Sequence, residues 1–256
     1  MKAFFVSDIH LKEPDEPSSK TLLGFLFQIE KSMDSLDPAT HLFLVGDIFD
    51  LWIGSHSFFI QKFQAIVDQL KRLKEKNLSI HYFEGNHDLF LTDFWQKEIG
   101  VQVHTRAEVF NLGKLRVRVE HGDLINPEDK GYLFLYRLLR TEPIPFLAKK
   151  LPGVVVKWIG TRASLASREY TSTAKSLREE KIRELLRQHL LRISDPNLDL
   201  IISGHVHVRD DQSLLKEGRP VRSINLGAWF DHPECFVIDE AKARFARLNA
   251  EGQWEL

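Results

Sequence analysis

The chain has 256 residues, 43% hydrophobic and 28% charged, with 35 basic side chains against 36 acidic ones and a net charge of -1. That length can bury a full core, the charge balance argues against a dedicated nucleic-acid binder, and the apolar content argues against disorder. The single cysteine, Cys235, excludes an internal disulfide, and no apolar run reaches the roughly 18–20 residues that cross a bilayer.

Lys2–Val6 reads as a strand, too short and too soon interrupted by Ser7 and Asp8 for a signal peptide, so a cytoplasmic soluble protein is expected. Thr21–Met33 has Leu22, Leu23, Leu26, Phe27 and Ile29 near helical spacing. Leu42–Val45 is a strand, Phe58–Lys76 an amphipathic helix striped by Ile66, Leu70 and Leu73, and Leu78–Phe83 a strand. This βαβαβ rhythm predicts a layered α/β domain. Glu108–Leu112 and Leu115–Val119 read as a hairpin turning at Gly113-Lys114. From about Lys130 to Ile193 the chain reads as helices broken by prolines. Leu198–Ser203 returns to strand. Val221–Leu226, Cys235–Asp239 and Ala243–Leu248 read as closing strands of a second sheet.

Five apolar runs end in side chains that bind metals. Ala3–Val6 runs into Asp8 and His10, Leu42–Val45 into Asp47 and Asp50, and Leu78–Phe83 into Asn86, His87 and Asp88. Leu115–Val119 runs into His121 and Asp123, and Leu198–Ser203 into His205 and His207. Strand ends of open α/β sheets converge on one crevice, so the expected site collects Asp8, His10, Asp47, Asn86, His121, His205 and His207. In extended backbone, the two-residue spacing of Asp8 and His10, and of His205 and His207, puts each pair on one side. Gly46, Gly85, Gly122 and Gly204 sit beside these residues, where the chain must turn and pass close. Seven O and N donors are too many for one tetrahedral ion. Two divalent ions sharing Asp47 would use them well, and two ions form a clamp for in-line attack at phosphorus. His41, His81, His104, His189 and His232 show no such pattern and read as ordinary surface or core histidines. Trp52 reads either as core or as part of a substrate entrance, and His56 lies close after the second motif.

Asp8-x-His10, Gly46-Asp47-x-x-Asp50, Gly85-Asn86-His87-Asp88, His121-Gly122-Asp123 and Gly204-His205-x-His207 together resemble the calcineurin-like metallophosphoesterases. The resemblance implies an α/β four-layer αββα sandwich with a dinuclear site in the loops at one end. It implies one ion held by Asp8, His10, Asp47 and His207, and another by Asp47, Asn86, His121 and His205. It also places His87 near the leaving group, oriented by Asp50. A narrower resemblance, to the UDP-2,3-diacylglucosamine pyrophosphatases of lipid A biosynthesis, rests on Asp50-Leu51-Trp52-Ile53-Gly54, on Gly131-Tyr132 after His121-Gly122-Asp123, on Ser167-Arg168-Glu169 with Lys175-Ser176, and on Leu226-Gly227-Ala228-Trp229. It implies hydrolysis of a UDP-linked diacylglucosamine to UMP and the acylated sugar 1-phosphate, with manganese favoured and Mg2+, Fe2+ or Zn2+ as alternatives, at the cytoplasmic face of the inner membrane. The chain departs from that group at His87, where arginine is usual, at Asp50, where glutamate is usual, and at Ser55-His56, where acidic residues are usual. The substrate therefore stays open between this lipid precursor and another nucleotide-linked diphosphate, a cyclic nucleotide or a phosphomonoester. A non-catalytic scaffold of the same fold would be expected to lack ligands.

The expected organisation is a core of residues 1–129 and 194–256 with a helical insertion or lid at 130–193. Residues 137–192 carry 13 Lys or Arg against 5 Glu and no Asp, which points to an anionic partner. Apolar stretches such as Tyr132–Tyr136 alternate with these cations. They could sheath acyl chains and touch an anionic membrane surface, or form a plain helical cap. Arg168 and Lys175 are the expected substrate contacts. No nucleic acid and no obligate protein partner are expected.

Overall fold

A computed structural model describes residues 1–33, 37–143, 175–230, 233–240, 242–247 and 253–255, without the side chains of 175–178. The first sheet contains β1 (Lys2–Val6), β2 (His41–Leu44), β4 (Ser79–Phe83) and β6 (Gln102–His104), all parallel, in the order β1-β2-β4-β6. β12 (Glu234–Asp239) and β13 (Lys242–Arg247) extend it antiparallel beyond β1, with Phe4 opposite Val237. These two strands were expected in the second sheet. β12 is buried on both faces, so its apolar run carries no sign of which sheet it joins.

The second sheet has the order β10-β11-β9-β8-β7, built from β7 (Glu108–Leu112), β8 (Leu115–Val119), β9 (Leu200–Ser203), β10 (Asp210–Lys216) and β11 (Arg219–Asn225). Side-chain alternation decides the layering. Phe5, Phe43, Val45, Phe236 and Ile238 pack inward against Val117, Val119, Ile202 and Ile224 of the second sheet. Phe4, Val6, Leu42, Leu44 and Val237 face the other way, onto helices. Those helices are α1 (Pro17–Ser32), α2 (Ser57–Lys62) and α3 (Gln64–Glu75). α1 buries Leu22, Phe25, Leu26 and Ile29, the 3–4 spacing of one helical stripe. The fourth layer is α5 (Lys175–Arg192), whose Leu190 packs with Leu198, Ile201 and Val221 on the outer face of the second sheet. The expected αββα sandwich is therefore present.

Of the insertion expected at 130–193, the two ends are described. α4 (Lys130–Leu139) has no buried residue, whereas α5 serves as an outer layer of the sandwich. The helix expected at 58–76 is two helices that meet at Phe63, whose ring is buried 4.7 Å from that of Phe49. Trp52 is fully buried in the same aromatic cluster, with Phe49, Phe94 and Trp95. It belongs to the core, and its indole N–H donates to the Gly54 carbonyl at 2.8 Å.

Candidate metal centre

All five motif loops leave strand ends at the same edge of the sandwich, and hydrogen bonds stitch them together. The Asp8 amide donates to the Gly46 carbonyl at 3.2 Å, and the Gly204 amide to the His121 carbonyl at 2.8 Å. The His205 amide donates to both oxygens of Asp8, at 3.0 and 2.9 Å. Strands from both sheets thus deliver their loops to one place.

The two-residue spacings do not work through extended backbone as expected. Asp8, His10, Asp47, His205 and His207 all have φ between 51° and 68°, in the left-handed region. Each such residue costs about 1–2 kcal/mol, although Asp and His enter this region more readily than most. Alternate left-handed residues curl the loop so that both members of a pair face the same centre. Two glycines make the close approach possible. A Cβ on Gly85 would lie 2.1 Å from Asp47 Oδ1, and one on Gly204 would lie 2.3 Å from Asp8 Oδ2.

Three overlapping groups have donor atoms within reach of one ion: Asp8, His10 and His207; His10, Asp47 and His87; and Asp47, His121 and His205. The Nε2 atoms of His10 and His207 face each other at 3.0 Å, and His207 Nε2 lies 3.3 Å from Asp8 Oδ1. Asp47 Oδ2 is 3.8 Å from His10 Nε2 and 3.5 Å from His121 Nε2, so one oxygen faces both sides. Its other oxygen accepts the His87 amide at 2.9 Å. Asn86 Oδ1 stands 3.4 Å from His121 Nε2. The donors fit divalent cations on a further count. His121 Nδ1 donates to the Val45 carbonyl at 2.9 Å, which orients the ring so that Nε2 is the atom turned to the site.

Burial and the neighbouring carboxylates set the protonation of these donors. Burial holds the His10 and His205 imidazoles down, each to about 4, so their lone pairs are free at neutral pH. Burial also pushes His121 down, but the adjacent Asp47 carboxylate outweighs it and lifts His121 to about 10. Burial raises Asp47 in turn, and the neighbouring imidazoles of His121 and His87 outweigh that and hold it well below the usual carboxylate range.

His87 meets Asp50 through the main chain: Nδ1 donates to the Asp50 carbonyl at 2.7 Å. The main chain at position 50 thus supplies an orienting contact to the His87 ring. His56 caps α2, accepting the Phe58 amide on Nδ1 at 3.3 Å. Arg168 and the side chain of Lys175 lie outside the described residues, as does His232.

Several residues outside the expected donor set also shape the site. Asp88 is fully buried and accepts from the Ile48 and Phe49 amides and the Tyr82 hydroxyl, at 2.7, 3.2 and 2.7 Å. It fixes the loop that carries Asp47. Ser7 donates to Asp8 Oδ2 at 2.5 Å, and Asn225 Nδ2 donates to the Gly204 carbonyl at 2.6 Å. Asp88 was visible as the last residue of its motif; Ser7 and Asn225 gave no signal. Tyr132 of α4 donates to Asp123 Oδ2 at 2.7 Å, and its ring lies 6.0 Å from that of His205. Beside the centre, a cavity of about 1040 Å³ runs from His121, Gly122 and Asp123 past Phe90, Leu124 and Ile125 to Arg106, Arg137 and Arg140.

The family model for calcineurin-like phosphoesterases matches residues 1–209. Among curated proteins, the UDP-2,3-diacylglucosamine hydrolase of Aeromonas salmonicida is 28% identical over 265 residues, covering 100% of this chain and 98% of that protein. The protein of the same name from Stutzerimonas stutzeri is 28% identical over 240 residues, covering 92% of this chain and 94% of its own. That of Porphyromonas gingivalis is 26% identical over 260 residues, covering 93% and 94%. With the sandwich, the convergent donors and the match over most of its length in agreement, the chain belongs to the calcineurin-like phosphoesterase family.

Proposed function

We propose that the protein hydrolyses the diphosphate of UDP-2,3-diacylglucosamine, giving UMP and 2,3-diacylglucosamine 1-phosphate. The observation that carries this reading is α4. It is tied to the metal centre by Tyr132 and Asp123, yet Phe134, Leu135 and Leu138 stay exposed, at 67, 48 and 42%. A small soluble substrate would have no use for an apolar helix held open beside a phosphoryl site; acyl chains would. The whole-length similarity to proteins named UDP-2,3-diacylglucosamine hydrolase supports the same substrate.

Asp8, His10, Asp47 and His207 would hold one ion, and Asp47, Asn86, His121 and His205 the other, with manganese the expected metal. Such ions, when bound, neutralise phosphoryl charge and make water nucleophilic near neutral pH. The chain's own groups do the rest. Asp47 keeps its two donor groups in register. His87, held at Nδ1 by the Asp50 carbonyl, turns Nε2 to the site and would give a proton to the leaving phosphate oxygen. The arginines of the adjoining cavity would attract the anionic substrate. The basic, apolar segment that begins at α4 suits a peripheral position on an anionic membrane surface at its cytoplasmic side. Among the described residues no helix is long and apolar enough to cross a membrane.

Incubation of the protein and Mn2+ with UDP-2,3-diacylglucosamine, UDP-glucosamine and an aryl phosphate tests the reading. UMP release from the diacylated compound alone is expected. Equal release from UDP-glucosamine, or turnover of the aryl phosphate alone, would refute it.

A further inference from the structure

One large apolar side chain stands half exposed beside the metal centre. Phe230 is 50% exposed, although the residue before it, Trp229, is 2% exposed. Its ring stands edge-on to His207, with centroids 5.6 Å apart at 89°, and 6.1 Å from the ring of His10. The segment leading to it is fastened to the site loops at successive points. The Leu226 amide donates to the Ser203 carbonyl at 2.8 Å, and the Trp229 amide to the Asp8 carbonyl at 3.2 Å. The phenyl ring is therefore presented from an anchored backbone at the edge of the Asp8–His10–His207 group.

The other donor group has a flank of different character. There Tyr132 lies against His205, in the Asp47–His121–His205 group, and leads into the exposed apolar residues of α4. The two donor groups thus have unlike flanks: a helix with a long apolar surface on one side, and one flat aromatic ring on the other. A diphosphate spanning both groups would direct its acylated half along α4 and its other half over Phe230. A half-exposed phenyl suits a flat, polar-edged ring, because stacking takes the π-face of any base and leaves the base edges in water.

We propose that Phe230 is the stacking platform for the nucleobase of the substrate. This rests on the nucleotide-linked substrate proposed above and assigns its orientation: base at the His10–His207 edge, lipid at the Tyr132 edge.

The test compares two ligands that differ only in the base. The Mn2+-loaded protein is titrated with UMP and with ribose 5-phosphate by calorimetry, as wild type, Phe230→Ala and Phe230→Trp, with metal content measured in each. The expected result is that Phe230→Ala weakens UMP roughly 5- to 100-fold while ribose 5-phosphate and metal content stay unchanged, and Phe230→Trp keeps tight UMP binding. Wild-type protein that binds UMP no better than ribose 5-phosphate would overturn the proposal. So would unchanged UMP affinity in Phe230→Ala, or equal weakening of both ligands. The substrate reading fails separately: wild-type protein that stacks UMP on Phe230 but releases none from the diacylated substrate would keep the platform and lose the lipid.

Discussion

The strain and crowding around Asp47 set the tolerance of single residues here. Asp47 has one oxygen turned to both donor groups and the other held by the His87 amide. Gly85 passes so close that an added Cβ would meet Asp47 Oδ1 at 2.1 Å and the Asp47 amide nitrogen at 2.7 Å. Neither neighbour is the free end of a flexible chain. Gly85→Ala should therefore displace Asp47 and weaken Mn2+ binding by about 10–100-fold, the usual cost of disturbing a ligand's support; unchanged affinity by metal titration would show that the loop can yield. His87 acts differently if it donates to the leaving group. His87→Ala should lower kcat by roughly 100-fold with metal content little changed, and loss of metal without a change in single-turnover rate would contradict that role. Protonation provides a further check. In the metal-free protein the Asp47 carboxylate holds His121 at about 10, above neutral pH, so His121 carries a proton that an incoming cation must displace. Calorimetric titration of Mn2+ at pH 7.5, in buffers of different ionisation enthalpy, should show at least one proton released per chain. Heats independent of buffer would contradict it.

Secondary elements show why some of this architecture was readable in the sequence and some was not. β1, β2, β4, β8 and β9 are apolar runs that stop at ligand motifs, so both the strands and their convergence were legible. β10 was not: Asp210–Lys216 alternates buried or half-buried with exposed positions but is rich in polar residues at the sheet edge. It is made a hairpin by Glu217 and Gly218, both at positive φ, the conformation a two-residue turn requires. β3 (Trp52–Ile53) and β5 (Asp88–Leu89) are two residues each, too short for any period to show. Yet they form a parallel pair that clamps the second and third motifs, with Trp52 opposite Asp88. Asp88→Ala would strand two buried amides and the Tyr82 hydroxyl, at about 1–3 kcal/mol per donor; a fall of several degrees in Tm should follow, and no fall would mean water replaces the carboxylate. α4 carries the corresponding test for the substrate. Because Phe134 and Leu138 are exposed, replacing both with Ser should leave Tm unchanged. It should raise KM for the diacylated substrate by roughly tenfold or more, each buried side chain being worth about 1.5–3 kcal/mol, and leave aryl phosphate hydrolysis as it was. Equal effects on both substrates would remove α4 from lipid binding.

Across the whole molecule, the two sheets divide the labour. The first brings Asp8, His10, Asp47, Asn86 and His87 on the loops after β1, β2 and β4, and the second brings His121, His205 and His207 after β8 and β9. The inter-sheet core, with Phe5 stacked on Phe43 at 4.5 Å, sets how those loops meet. What the sequence could not disclose is the balance of the second sheet's outer face. α5 reads as part of a lid because it is basic and lies within the insertion expected at 130–193, but Leu186 and Leu190 are buried, Leu190 against Ile201 and Val221. Three histidines with no motif also proved to be linked. His41, His81 and His104 lie in a row across β2, β4 and β6, with ring nitrogens 3.1 Å apart at both steps. Burial holds all three below the usual imidazole range, His81 at about 3. Spacing along the chain gives no hint of such a row, because strand register alone brings these positions together.

On this reading, side chains from both sheets grip two cations through a shared Asp47. Elemental analysis of the protein after Mn2+ loading and gel filtration, run beside Asp47→Ala, counts those ions. Two ions per chain are expected in the native protein and a loss at both positions in the variant, with the fold retained by circular dichroism. One ion or none in the native protein, or two in Asp47→Ala, would contradict it.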